Sequence, residues 1–170
     1  MQLSQTIEYA LRAVVWLAEN DGAPQTTQEI AAGCRMPASY LSKVLQPLAR
    51  GGIVIGQRGL HGGFVLAKPP ADLSILEVIN AVEPVQRIKV CPLGIRGHGT
   101  NLCSLHRALD EVMQNVEKSF GSQTIGDLLS RANKTRPLCD VASTMAVGLP
   151  LGRSGTLGGV ASSGLAKPQE

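Results

Sequence analysis

Cys91, His98, Cys103 and His106 are the side chains of this sequence best equipped for chemistry. Thiolates and imidazoles are common donors to zinc and iron–sulfur centres, and a thiolate is also a nucleophile. Six residues separate Cys91 from His98, four separate His98 from Cys103, and two separate Cys103 from His106. Residues three apart on a helix share a face, so Cys103 and His106 can point the same way. The stretch between the cysteines, CPLGIRGHGTNLC, is rich in glycine, proline and polar residues, as an exposed loop would be. A hydrolase built on Cys103 and His106 would need an oxyanion-hole motif and an orienting acid. Neither is evident, so an enzyme is not expected. Cys34 reads as a small packing residue, Trp16 as core of the first helix, and Cys139 has no assigned role.

A second group of residues suits nucleic acid. RGLHGGFVLAK, Arg58 to Lys68, puts Arg58, Gly59, His61, Gly62 and Gly63 at the tip between two β-prone runs, IVIGQR and GFVLAK. Just upstream, ASYLSKVLQPLA has the helical apolar series Leu41, Val44, Leu45 and Leu48. Its polar face carries Ser39, Tyr40, Ser42, Lys43 and Gln46. Pro47 conflicts with that helix, and a bend or an early end is expected near it. The helix would enter the major groove of double-stranded DNA. The hairpin would carry Arg58, with His61 as a second contact, to the narrow minor groove beside it. On this reading Gly59, Gly62 and Gly63 let main-chain amides approach phosphates. The plain alternative is a surface hairpin with a flexible turn.

These residues need a scaffold, and the pattern supplies one. Ser4 to Glu19 reads as an amphipathic helix with Ile7, Leu11, Val14, Val15 and Ala18 inward and Ser4 as its cap. Thr26 or Thr27 caps a short second helix with Glu29 near its third position, and GCRMP breaks it. After the hairpin, DLSILEVINAVE reads as a helix. A loop from Pro84 to about Asn101 leads to a long helix, CSLHRALDEVMQNVEKSF, with Leu105, Leu109, Val112, Val116 and Phe120 on one stripe. A short helix capped by Thr124 follows. The expected fold is mainly α with a small β-hairpin wing: a winged helix-turn-helix over 1–83, a candidate sensor loop over 84–102, and a dimerisation helix with a short last helix over 103–134. Residues 135–170 are Gly/Ser-rich without period and read as a disordered tail.

Composition agrees without deciding. The net charge of +3 is mildly basic, which permits nucleic-acid binding. Aromatic residues make up only 3%, so the core must be Leu, Ile, Val and Ala. No continuous apolar run is long enough to span a membrane, and the first residues lack the marks of a signal peptide. A cytoplasmic protein is expected, with its cysteines reduced, buried, reactive or metal-bound.

The combined motifs resemble the Rrf-two family of bacterial winged helix-turn-helix regulators, which includes IscR and NsrR. The resemblance is carried by LSQTIEYALRAVVWLA, IAAGCRMPASYLSKVLQPLARGGIV, QRGLHGGFVLAKPPADLSILEVINAVE and CSLH…TIGDLL, over roughly residues 1–130. It implies a homodimer that binds promoter DNA as a transcriptional regulator, with the helix from Cys103 crossing to the partner. A metal-responsive protein–protein adaptor is the alternative. Sensing members of the family carry three evenly spaced cysteines before that helix. Here Cys91 and Cys103 resemble the first and third, and Gly97 stands in the middle slot beside His98. His106 resembles the histidine ligand of the IscR branch, and Glu8 the carboxylate position of the NsrR branch. A [2Fe–2S] cluster on Cys91, Cys103 and His106, with His98 or Glu8 as a further ligand, is one reading. A zinc site, thiol sensing by Cys91 and Cys103 without metal, and a loop that binds nothing are the others.

Overall fold

The structure is a computed structural model that describes residues 3–59, 62–95, 97 and 101–131. His61, His98, Cys139 and the expected tail lie outside those residues. The first helix, α1 (Gln5–Glu19), starts at Ser4, whose hydroxyl accepts from the Ile7 amide. Its buried face is continuous, from Ile7 through Ala10, Ala13 and Val14 to Leu17, and Trp16 is buried with it. Asn20 closes the helix, and Gly22, in the left-handed region at φ 88°, turns the chain.

Thr26 and Glu29 form a reciprocal capping box at the start of α2 (Thr27–Gly33). Such a box satisfies two amides that a helix start would otherwise leave unpaired. Gly33 lies flat against the Trp16 ring, where any Cβ would collide. After a tight turn, α3 (Ala38–Arg50) buries Leu41, Val44, Leu45 and Leu48, the apolar series read from the sequence. The helix does not end early at Pro47; it runs on to Arg50. Pro47 forfeits a single amide bond near the C-terminus, and its own carbonyl still accepts from the Gly51 amide at 2.9 Å.

The hairpin is present as β1 (Val54–Gln57) and β2 (Gly63–Leu66), antiparallel, with Val54 opposite Leu66 and Gln57 opposite Gly63. Gln25, just before α2, exchanges both main-chain bonds with Phe64, at 3.0 and 2.8 Å. That bridge ties the wing to the start of the helix-turn-helix.

A short 3-10 turn (Pro70–Asp72) leads to α4 (Ile75–Val82), which opens with a second capping box, Ser74 with Glu77. The long helix α5 (Ser104–Gly121) follows the loop, and α6 (Ile125–Ser130) opens with a third box, Thr124 with Asp127. Ser74 and Thr124 meet in a β-bridge, so α4 and α6 start side by side. Ile125 is fully buried in the same core as α1. By contrast, α5 has no buried residue, and Leu105, Leu109 and Val112 are exposed along it.

Glu77 carries a pH dependence. Lys68 donates to its carboxylate at 2.5 Å and the Ser74 amide at 2.9 Å. The Lys68 ammonium first, then the amide, pull its pKa down to about 2. A carboxylate lowered on folding stabilises the protein above its unfolded pKa, and that contribution is lost as pH falls from about 4.5 towards 2. Because the pair is open to solvent, the contribution is roughly 1 kcal/mol. Glu77→Gln should therefore lower stability by about that much near pH 7, since glutamine can still close the box. Denaturant titrations across pH should show the two proteins converging as pH falls from about 4.5 towards 2.

Candidate nucleic-acid interface and sensor loop

The outward face of α3 is a polar strip. Ser39, Ser42, Lys43 and Gln46 are all exposed. Tyr40 differs from them. It is half-buried, its hydroxyl shares a hydrogen bond with Thr6 Oγ1 at 2.8 Å, and its ring meets Tyr9 edge-on with centroids 5.3 Å apart. Lys43 Nζ lies 5.8 Å from the Tyr40 ring centre. Tyr40 thus joins α3 to α1 and gives Lys43 a surface to rest on. A shallow, mostly apolar groove lined by Thr27, Ser42, Leu45, Gln46 and Phe64 lies between this strip and the wing.

Arg58 is exposed at the end of β1, next to Gly59, whose φ of 118° requires glycine. A Cβ on Gly59 would meet nothing. The next two glycines have an internal reason. A Cβ on Gly62 would run into the Gln57 carbonyl, and one on Gly63 would lie 2.5 Å from the Gln25 carbonyl oxygen. Their lack of a side chain lets the tip fold back on itself and lets β2 pass Gln25. With His61 undescribed, the exposed groups of the described tip are Arg58 and the Gly59 main chain.

At the other end, Cys103 is the N-cap residue of α5, and its Sγ lies 3.4 Å from His106 Nδ1. The expected sharing of a face is present. Cys91 is buried, with its carbonyl accepting from the Gly94 amide. Gly97 is exposed, and Glu8 is exposed and paired with Arg12. Among the described residues no three metal-binding side chains converge. A thiol and an imidazole therefore lie together, but the described part of one chain brings no third metal-binding side chain to them. Cys34 is fully buried, and burial pushes its thiol up to about 12, as befits a packing residue.

One anchor of this loop had no sequence signal. Arg87 makes a two-pronged contact with Asp110, at 2.7 and 2.6 Å, and a third bond to Glu117 at 2.9 Å. The Ile88 amide donates to the same Asp110 carboxylate. The Arg87 guanidinium holds the Asp110 carboxyl below the usual carboxylate range. This clamp ties the start of the loop to the middle of α5. No local spacing could reveal it, because its partners lie far apart in sequence and are common surface types.

A helix-turn-helix whose second helix shows a polar face, followed by a tied hairpin with an exposed arginine, is a winged helix-turn-helix of the DNA-binding class. The Rrf2 family model, described as iron-dependent transcriptional regulator, matches residues 3–131. The chain belongs to the Rrf2 family of transcriptional regulators. It is 31% identical over 137 residues to a protein from Aquifex aeolicus named an HTH-type transcriptional regulator, a match covering 79% of this chain and 95% of that one. Among solved structures it is similar to CymR, the global cysteine regulator of B. subtilis, with a TM-score of 0.64 and 24% identity over 78% of this chain and 99% of that one. It is also similar to T. potens IscR, with a TM-score of 0.65 and 23% identity over 79% and 90% of the two chains. These relatives are regulators, not enzymes, as the absence of catalytic motifs suggested. No described helix is long and apolar enough to cross a membrane.

Tyr40→Phe separates a scaffold role from a DNA contact. Losing the hydroxyl should cost about 0.5–1.5 kcal/mol of stability, because Thr6 loses its partner. Affinity for duplex DNA should stay unchanged, since the ring and Lys43 remain. Melting curves and a binding titration check both; weaker binding at unchanged stability would place the hydroxyl on DNA.

Proposed function

We propose that this chain is a homodimeric, sequence-specific regulator that reads promoter DNA with Ser39, Ser42, Lys43 and Gln46 of α3 in the major groove. Tyr40 supports that face. Arg58 and the Gly59 main chain reach the adjacent minor groove, with His61, Gly62 and Gly63 completing the tip. The observation that carries this reading is the exposed polar strip of α3 beside exposed Arg58, in a chain of the Rrf2 family. The dimer is supported by α5. Leu105, Leu109 and Val112 form an uncovered apolar stripe on a helix that packs against its own chain through Phe120 near its far end, and a second copy would cover the stripe. The protein–protein adaptor reading lacks a comparable observation, because the exposed face of α3 is polar and basic.

Sedimentation of the protein alone and with a duplex selected from a random pool tests this reading. A dimer is expected in both cases. Arg58→Ala should remain dimeric while its affinity falls by roughly 1–3 kcal/mol, the range for a good groove contact. Unchanged affinity would remove Arg58 from the DNA face, and a clean monomer would remove α5 from an interface.

For sensing, the reading is a [2Fe–2S] cluster with Cys91, Cys103 and His106 as ligands and His98, or Glu8 of a second copy, as the further ligand. It is supported by the Cys103–His106 pair and by the iron-dependent description of the family. Histidine in place of cysteine is tolerated in such clusters and raises their potential. The chain's own part is to hold Cys103 at the start of α5 and to fix the loop entrance through Arg87. Zinc and metal-free thiol sensing are the competing outcomes. Protein purified without oxygen should contain iron and sulfide and absorb in the visible, and Cys103→Ala and His106→Ala should lose both. Zinc alone, or no metal, would overturn the cluster.

A further inference from the structure

Arg35, in the turn between α2 and α3, is the one described residue other than glycine with a positive φ, at 51°. The turn is of the Schellman type. The Met36 amide donates to the Ala31 carbonyl at 3.0 Å, and the Arg35 amide to the Ala32 carbonyl at 3.2 Å. Met36 is buried and supplies the apolar contact such turns make. Glycine fills the Arg35 position of this turn without steric cost, whereas a side chain crowds its own carbonyl there. The Arg35 side chain is exposed, so packing does not account for it. Exposed ion pairs contribute little, so a partner within the chain would not offset the cost.

What arginine brings and glycine does not is charge, and the charge is not isolated. Arg12 reaches the Cys34 carbonyl, next to Arg35, at 3.4 Å, and its guanidinium lies 5.7 Å from the Tyr9 ring centre. Tyr9 meets Tyr40, and Lys43 lies over Tyr40. Arg35, Arg12, which is also paired with Glu8, and Lys43 thus follow one another, contact by contact, beside the N-terminal end of α3. In helix-turn-helix docking, the first residues of the second helix enter the groove and the preceding helix crosses the backbone. The corner between them lies at the phosphate rim. We propose that Arg35 is a phosphate-contacting residue, held in an unfavourable backbone conformation because its charge is needed at that rim. The proposal rests on α3 being the recognition helix.

A phosphate contact acts on any sequence, so a fluorescein-labelled mixed-sequence duplex is the probe. Binding is titrated across about 50–200 mM salt, where the slope of log affinity against log salt counts neutralised phosphates. Thermal melts are run in parallel at matched protein concentration. Arg35→Gly should melt higher by roughly 2–4 °C, because the strain is relieved. Its salt slope should be shallower by about 0.9 for each phosphate left without its cation. Arg35→Ala should lose slope without gaining melting temperature, and Arg35→Lys should keep the slope. Lys43→Ala tests the underlying reading of α3. If Lys43→Ala weakens binding while Arg35→Gly keeps the wild-type slope, the Arg35 contact is overturned and the α3 reading stands. If neither variant changes binding, α3 is not the DNA-facing helix and the proposal falls with it. If Arg35→Gly melts lower, Arg35 serves the fold and the proposal is likewise overturned.

Discussion

Burial of α1 is the constraint on which the other elements depend. Its inward face carries Ala10 and Ala13, both without exposed surface, between larger residues at Ile7, Val14 and Leu17. Small side chains there let α2, α3, α4, α6 and β2 all pack against one helix. The core they share is mainly aliphatic; among the described residues Trp16 is its one buried ring, with Tyr9, Tyr40, Phe64 and Phe120 packed against its edge. Because apolar burial is non-directional, this packing sets distance more than orientation. Orientation comes from polar details at the edges: the Tyr40 hydroxyl on Thr6, the Gln25–Phe64 bridge, and the flat seat of Gly33 on Trp16. They fix, in turn, α3 to α1, the wing to the start of α2, and α2 to α1.

Most of the helix ends were legible because they are made locally. Ser4, Thr26 and Thr124 bond to amides three residues ahead, and that spacing is visible in a sequence. The apolar series of α3 was legible for the same reason. Pro47 did not end the helix early: it costs one amide bond, and the buried apolar series on either side carries the helix on to Arg50. The glycines of the wing were legible as a turn but not as contacts. Gly63 answers to Gln25, a neighbour far away in the sequence. Tyr40 was placed on the polar face by periodicity, which does not register that a half-buried tyrosine can turn back to a threonine on another helix. The loop was least legible: Arg87 and its two carboxylates carry no pattern, and the Cys103–His106 pair was foreseeable only because both residues sit within one helical turn.

The two ends of the molecule are held by different forces. The helix-turn-helix end is built on the buried core; there Arg12 lies against the Tyr9 ring and the Cys34 carbonyl, and Lys43 against the Tyr40 ring. The loop end is held by charge. Arg87 gathers two carboxylates of α5, and the chain that follows it includes exposed Val90, Leu93 and Ile95. Bidentate arginine–carboxylate contacts fix geometry as well as charge, so the loop entrance keeps a defined direction where apolar packing offers none.

The bridge between Ser74 and Thr124 has a consequence for how such a chain can vary. It brings together two points separated by the loop and the long helix, and α4 and α6 start from it into the same core. The segment from 84 to 121 is therefore a detour with both ends pinned. Lengthening a closed detour costs little, about 0.6 kcal/mol for each doubling of a flexible loop. Insertions, deletions and substitutions in the detour need not disturb the helix-turn-helix or the wing. The architecture lets the detour drift while the winged helix-turn-helix stays fixed.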